Sequence, residues 1–169
     1  MTTPSVRPVL QSNRVRSLKI PRNAVALLIH TLDARVREWE IPPGELSIAF
    51  LGPRAIARLH GTFLCDSSPT DVITFPGSVE DDLAGEICVS PHMARQAARS
   101  ARHGFAEELT LYIVHGWLHL AGLDDGTPEA RRTMRAAETR CLALLRHDSA
   151  VPGFQWSTGW QAVEKRGRS

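Results

Sequence analysis

The chain has 169 residues, 43% of them hydrophobic, and a formal net charge of only +2. This length and composition fit one domain around a single core, and so small a charge is too mild to indicate nucleic-acid binding by itself. The best apolar run, residues 24–29, is far too short to span a bilayer, and the first residues lack the apolar segment of a secretion signal. We therefore expect a cytoplasmic protein without membrane contact, with one domain over residues 1–150 and a basic, aromatic-containing tail over residues 151–169.

The pattern of apolar residues, prolines and turn residues predicts strands in the first half of the chain and mostly helices in the second. In chain order the predicted elements are a strand at 6–11, a helix at 21–38, a strand at 45–51, a short helix from 53 toward 63, strands at 71–75 and 86–90, and helices at 91–103, 106–121 and 127–147. The last two strands flank a polar loop and are expected to form a hairpin. Together these elements predict an α+β fold, in which a small mixed sheet of about four strands is covered by helices.

Two histidines four residues apart, His115 and His119, lie in the predicted helix at 106–121. Side chains at this spacing are neighbours, about 5 to 6 Å apart at Cβ, so two ring nitrogens can share one metal ion. Gly122 can turn the chain back immediately after the helix. That turn would bring Asp125 to the position of a third ligand. A polar stripe on a helix remains the alternative, because histidines also fall four apart by chance.

Three protein ligands with an open fourth position are typical of catalytic zinc sites, whereas four protein ligands are typical of structural ones. Asp124 is the nearby candidate for a fourth ligand, and we expect it instead to orient a histidine N–H or to cap the turn. A structural zinc stays the alternative. An oxygen ligand makes Mn²⁺ or Mg²⁺ more competitive, although histidine-rich sites still favour Zn²⁺.

The same stretch resembles the YbeY family of bacterial rRNA maturation factors, proposed zinc-dependent endoribonucleases. The family signature HGxLHLxGxDH is matched by HGWLHLAGLDD, in which Asp125 stands in place of a third histidine. Residues 69–76, PTDVITFP, resemble the family's PTDVLSFP, and residues 85–90, GEICVS, resemble its GDIxIS. The resemblance runs from about residue 46 to residue 145 in the same motif order.

This resemblance implies a metal-dependent endoribonuclease (a hydrolase) that acts in small-subunit rRNA maturation and ribosome quality control. Its implied cofactor is one Zn²⁺ held by His115, His119 and Asp125, with the two histidines acting in catalysis through the metal. Its implied partners are ribosomal RNA and the small ribosomal subunit, whereas the oligomeric state is not indicated. The family also carries an arginine, thought to be catalytic, in an LNxxYR segment, and this chain has Leu64 there, in LHGTFL.

The loss of that arginine weakens the nuclease prediction and leaves two other functions open. One is a ribosome-assembly or RNA-binding factor whose zinc only stabilises the domain. The other, less favoured, is a zinc hydrolase of another bond type. A peptidase is disfavoured because Gly116 occupies the position where an HExxH enzyme has its general-base glutamate.

Positive or hydrogen-bonding groups near the metal would be needed to hold RNA. Arg58 and His60 lie just before the missing arginine and could replace it, and Arg95 and Arg99 recur on one face of a predicted helix. These four residues are the candidate phosphate contacts. An ordinary solvated helix face is the alternative for the arginines.

Cysteines and aromatic residues outside these motifs give two smaller expectations. The cysteines are widely spaced and lack a CxxC pair, so we expect reduced, buried thiols at Cys65, Cys88 and Cys141. The tail holds three large aromatic side chains that would be costly to leave in water, so it is expected to dock, most simply on its own domain. These are Phe154, Trp156 and Trp160.

Overall fold

A computed structural model of the chain describes residues 6–64 and 70–157, with the side chain of Leu64 left out. In chain order the elements are β1 (Val9–Asn13), β2 (Leu18–Lys19), α1 (Ala24–Arg35), β3 (Glu45–Phe50), α2 (Pro53–Leu64), β4 (Val72–Pro76), β5 (Leu83–Val89), α3 (Pro91–Ala101), α4 (Phe105–Leu120), α5 (Pro128–His147) and β6 (Gln155–Trp156). The α+β prediction is confirmed. Within the described residues, no helix is long and apolar enough to cross a membrane.

The main sheet has four strands in the order β1-β3-β5-β4. β1, β3 and β5 are parallel neighbours, whereas β4 runs antiparallel to β5. The predicted hairpin is therefore confirmed as β4–β5, and it makes β4 an edge strand of the sheet. A separate two-stranded ribbon joins β2 to β6 near the end of the described chain.

Both faces of the sheet are covered. Because side chains alternate along a strand, Ile48 and Phe50 of β3 enter the main core, which α1, α4 and α5 complete. Ala49 points to the other face, where it joins a smaller cluster with Ile56 of α2 and Cys88 of β5. The helix α2 thus lies on the face opposite to α4, close to the edge strand β4.

Gly116 lets α4 lie directly on the sheet. A Cβ atom at this position would stand 2.5 Å from Ile87 Cγ2 and within 3.3 Å of methyl groups of Thr74 and Val72. Such distances are shorter than van der Waals contact, so any side chain here would force the helix away from β4 and β5. The contact fixes how far the middle of α4 stands from the edge strand.

The first helix is shorter than predicted. It begins at Ala24, because Asn23 adopts a left-handed backbone (φ 59°), and it ends at Arg35, because Val36 is extended. Its apolar body packs as expected, with Leu28 and Ile29 fully buried.

Part of the predicted tail packs on the domain, as expected for docking on its own chain. Phe154 is buried against Phe50, and Trp156 pairs with Leu18 in the two-stranded ribbon. Trp160 lies outside the described residues. Cys88 and Cys141 are free and buried, as predicted, whereas Cys65 also lies outside the described part of the chain.

Candidate metal centre

His115 and His119 project from the last two turns of α4 and meet through their ring nitrogens. The two Nε2 atoms are 2.9 Å apart, with the ring planes nearly perpendicular. Asp125 stands opposite, with Oδ2 3.7 Å from His115 Nε2 and Oδ1 3.9 Å from His119 Nε2. One ligand atom from each of the three side chains falls within 4.8 Å of the others, so the group could hold a metal ion.

The return of the chain to this point depends on the end of α4. Leu123 N donates to Leu118 O and Gly122 N donates to His119 O, each at 3.0 Å. This is the hydrogen-bond pattern of a Schellman motif, which needs a left-handed residue after the helix. Gly122 supplies it with φ +92°. The turn foreseen from the glycine is therefore present.

The turn itself is held by its own acidic residue and by an arginine of α5. Asp124 Oδ1 accepts a hydrogen bond from Gly126 N at 3.2 Å, so its carboxylate caps the turn. Arg131 Nη1 donates to the carbonyls of Asp125 and Gly126 at 3.0 and 3.3 Å. These bonds orient the backbone that carries the Asp125 side chain.

The Nδ1 atoms of both histidines have acceptor partners. His115 Nδ1 lies 2.7 Å from Glu138 Oε1, and His119 Nδ1 lies 2.9 Å from the carbonyl oxygen of Leu123. A carbonyl oxygen and an ionised carboxylate can only accept a hydrogen bond, so each Nδ1 must carry the hydrogen. In the neutral rings both Nε2 atoms then offer a lone pair to a cation.

Two nitrogen lone pairs at 2.9 Å repel unless a proton or a metal ion lies between them. Two nitrogens bound at about 2.0 to 2.1 Å to one tetrahedral ion are about 3.3 Å apart, so a small opening of the pair would accept Zn²⁺. A small approach of Asp125 would complete three ligands. Two imidazoles and a carboxylate suit Zn²⁺ best, with Mn²⁺ as a competitor, so the residues present fit a divalent ion.

Negative charge around the histidines favours a cation there. Burial lowers the pKa of His115, but its hydrogen bond to Glu138 and the negative charges of Glu138, Asp125 and Asp71 outweigh this, and the pKa is raised. The same carboxylates that stabilise the imidazolium would stabilise a bound metal ion.

An open space of about 450 Å³ lies in front of the three side chains, between α2, β4 and the end of α4. We call it the metal cleft. Its charged lining residues, among those that the structure describes, are Asp71 and Asp125, and no arginine or lysine is among them. A divalent ion would therefore be the main positive charge facing a phosphate in this cleft.

The candidate RNA contacts fall in different places. His60 lines the metal cleft. Arg58 is exposed on α2, Arg95 stacks over the ring of Trp156 at 4.7 Å, and Arg99 is exposed on α3. None of these three arginines is among the described lining residues of the cleft.

Four residues at or beside the site were not predicted from the sequence to belong to it. Asp71 lies within the PTDV segment and could have been found there as an acidic residue next to a strand. The other three come together only through tertiary packing and have no local signal. They are Glu138, Phe63 and Phe75.

Comparison with known proteins gives one consistent family. The sequence model of the family described as Endoribonuclease YbeY matches residues 11–146. Curated relatives named Endoribonuclease YbeY include one from Frankia casuarinae, which is 36% identical in an alignment of 115 residues; the match covers 60% of this chain and 57% of the relative. Another, from Chlamydia caviae, is 33% identical in an alignment of 124 residues, and the match covers 69% of this chain and 78% of the relative.

A solved structure agrees with the sequence comparison. The solution structure of TM1509 from Thermotoga maritima is similar with a TM-score of 0.54 at 25% sequence identity. The match covers 84% of this chain and 94% of that protein. The similarity therefore extends over most of the fold.

Proposed function

Because the chain belongs to the YbeY endoribonuclease family, we propose that it is a metal-dependent endoribonuclease that acts on ribosomal RNA during maturation of the small subunit. The comparisons agree with the sequence-based prediction of the family and of the class of activity, a ribonuclease of the hydrolase class. The identity of the metal, the ribosomal substrate, the contact with the small subunit, the cytoplasmic location and the roles of single residues are parts of the proposal.

The observation that carries the proposal is the convergence of two histidine nitrogens. Glu138 and the Leu123 carbonyl occupy both Nδ1 atoms, which leaves the two Nε2 atoms, 2.9 Å apart, as the only ring donors to a cation. Histidine ligands of metals typically have this outer hydrogen bond, which fixes the tautomer and the ring orientation.

Each residue of the site has a definite task in this proposal. His115, His119 and Asp125 hold one Zn²⁺, which Mn²⁺ or Mg²⁺ could replace. The bound ion supplies Lewis acidity at the scissile phosphodiester. Glu138 orients His115, and His60, which lines the metal cleft, contacts a phosphate oxygen.

The carboxylate ligand limits the rate. Two neutral histidines and one aspartate leave about +1 on a divalent site, whereas three histidines would leave about +2. The described lining of the metal cleft adds no arginine or lysine. We therefore expect slow phosphodiester cleavage, with Arg58, Arg95 and Arg99 contacting RNA only outside the cleft.

A peptidase-like reaction gains no support from the site. In an HExxH arrangement the general base would stand at Gly116, where even a Cβ atom would be 2.5 Å from Ile87 Cγ2. A glutamate cannot be accommodated there unless α4 leaves the sheet.

The test is an assay on a structured fragment of small-subunit ribosomal RNA with purified protein. Cleavage should require Zn²⁺, disappear with a chelator and disappear in His119→Ala, together with the bound metal. His147→Ala is the matched control, because that side chain is 78% exposed and far along α5. Cleavage that persists equally with Zn²⁺, with the chelator and in His119→Ala would point to a contaminant, whereas chelator-sensitive cleavage by His119→Ala would remove His119 from the site. A bound metal without any cleavage by the native chain would favour an assembly factor with structural zinc.

A further inference from the structure

A second depression adjoins the metal cleft on the α2 side of the sheet. It has a volume of about 380 Å³, and we call it the side groove. Its lining includes Arg14, which follows β1, and residues from α2, β4 and β5: Leu59, Phe63, Phe75, Glu86 and Cys88. Two of these, Phe63 and Phe75, also line the metal cleft, so their rings form the boundary between the two spaces.

The two rings differ in exposure. Phe63 is 60% exposed, whereas Phe75 is half-buried and packs against the small cluster around Ile56 and Cys88. The ring centroids are 5.0 Å apart at an interplanar angle of 71°. Phe75 thus supports Phe63 edge-on, which is a favourable aromatic geometry. Much of the Phe63 ring remains in solvent beside the proposed metal.

An exposed aromatic ring at such a boundary suits one chemistry in particular. Bases of single-stranded nucleic acid stack on aromatic side chains without regard to sequence. Bases inside a duplex are already stacked and are hidden from a side chain on the protein surface. The volumes of about 450 and 380 Å³ both fall within the range of sites that hold a small ligand.

We propose that Phe63, supported by Phe75, is a stacking platform for an unpaired base of the RNA substrate. The RNA strand would pass from the side groove over Phe63 into the metal cleft. This inference rests on the proposed endoribonuclease function and adds to it a residue that positions the RNA.

The charges of the side groove agree with a strand that passes through it. Arg14 lines the groove with an exposed side chain and offers a phosphate contact, which the described lining of the metal cleft does not. Glu86 lies in the same groove, where burial and then the negative charge of this carboxylate raise the pKa of the Cys88 thiol to about 12. Glu86 therefore opposes Arg14, and the net electrostatic attraction of the groove is modest.

The experiment measures binding of a fluorescent single strand of about eight nucleotides in the presence of Zn²⁺. The strand is 2′-O-methylated to block attack by the ribose hydroxyl, and a gel run after the titration checks that water has not cleaved it. Phe63→Leu should weaken binding by about 5- to 150-fold, which corresponds to one lost stack. Phe63→Trp should restore it. Leu27→Ala is the matched control, because Leu27 is 51% exposed on α1 and should have no effect.

Two further readouts separate stacking from a change in structure. Phe63→Leu should leave the thermal midpoint and the zinc content unchanged, and it should raise KM for a cleavable single strand more than it lowers kcat. Arg14→Gln should lower the salt dependence of binding by about 0.7 in the log–log slope, the value for one phosphate contact on a single strand.

The outcomes distinguish this proposal from the proposed function. If the native chain cleaves RNA and Phe63→Leu binds the single strand equally well, the platform is wrong and the nuclease stands. The same result is expected if the ring instead contacts a protein partner. If duplex of the same sequence loses affinity equally in Phe63→Leu, the platform is also wrong. If binding depends on Phe63 and the native chain never cleaves RNA, the platform stands and the nuclease function fails.

Discussion

The two sides of the candidate metal centre are built differently. On one side, His115 and His119 belong to a helix that lies directly on the sheet, their side chains are 19% and 24% exposed, and each ring has an outer hydrogen bond. On the other side, Asp125 stands on a turn, its side chain is 44% exposed, and its oxygens are 3.7 and 3.9 Å from the histidine nitrogens. The helical side is preorganised for a metal, whereas the turn side can adjust.

The largest effect should come from the helical side. We expect His115→Ala to lower Zn²⁺ affinity on the order of 100- to 1,000-fold, the share of one ligand in a typical zinc-binding free energy. Titration against a competing zinc indicator measures this. His147→Ala serves again as the control. Affinity within a few-fold of the native value would mean that the ion is held elsewhere.

The adjustable side should matter less. We expect Asp125→Ala to lower zinc affinity about 10- to 100-fold, because water can replace a half-exposed carboxylate, and Asp125→His to retain or strengthen binding. Dialysis against buffered Zn²⁺ followed by metal analysis gives both values. Asp81→Ala, on the exposed β4–β5 loop, is the control. Unchanged affinity in Asp125→Ala would remove this residue from the ligand set.

Glu138 links the helical side to α5. Its removal should cost about 10-fold in metal affinity, toward the lower end of the range for outer hydrogen-bond partners of metal-ligating histidines. Glu138→Gln should lose less, because the amide oxygen still accepts from His115 Nδ1. Zinc titrations of both variants, with Glu129→Ala on the same helix as control, test this order. Equal losses in the amide and alanine variants would show that charge, not orientation, is what Glu138 contributes.

The smallest effect is expected at Arg131, which bonds the backbone of the turn rather than a ligand atom. Arg131→Gln should weaken zinc binding by about two- to fivefold, the usual size for loss of one exposed hydrogen-bonded group. The neighbouring exposed Arg132→Gln is the control, measured in the same titration. A loss as large as that of Asp125→Ala would mean that the turn is not adjustable after all.

Much of this molecule could be predicted from local patterns. The α+β fold and the β4–β5 hairpin followed from residue types and spacing, and the grouping of His115, His119 and Asp125 followed from helical periodicity and one glycine. Their role as metal ligands stays a prediction, as does the domain boundary at residue 150. The four candidate RNA contacts also stay predictions.

Other features could not be foreseen because they depend on packing between distant segments. Glu138 reaches His115 only because α5 lies beside α4, and nothing in its own helix marks it. Phe63 and Phe75 meet only because α2 covers the edge strand. No aromatic platform was evident from the sequence near the candidate arginines, since its two rings come from different elements.

Gly116 fixes the position of the two histidines although it binds nothing itself. The glycine after the first histidine sits in a regular helix, so its value lies in having no side chain between the helix and the sheet. The helix backbone therefore lies in direct contact with the sheet at this residue, and this contact sets the distance between the two imidazoles and the edge strand. Even a single added methyl group would lift the whole donor pair, so Gly116→Ala would alter the geometry of the centre without touching any group that binds to it.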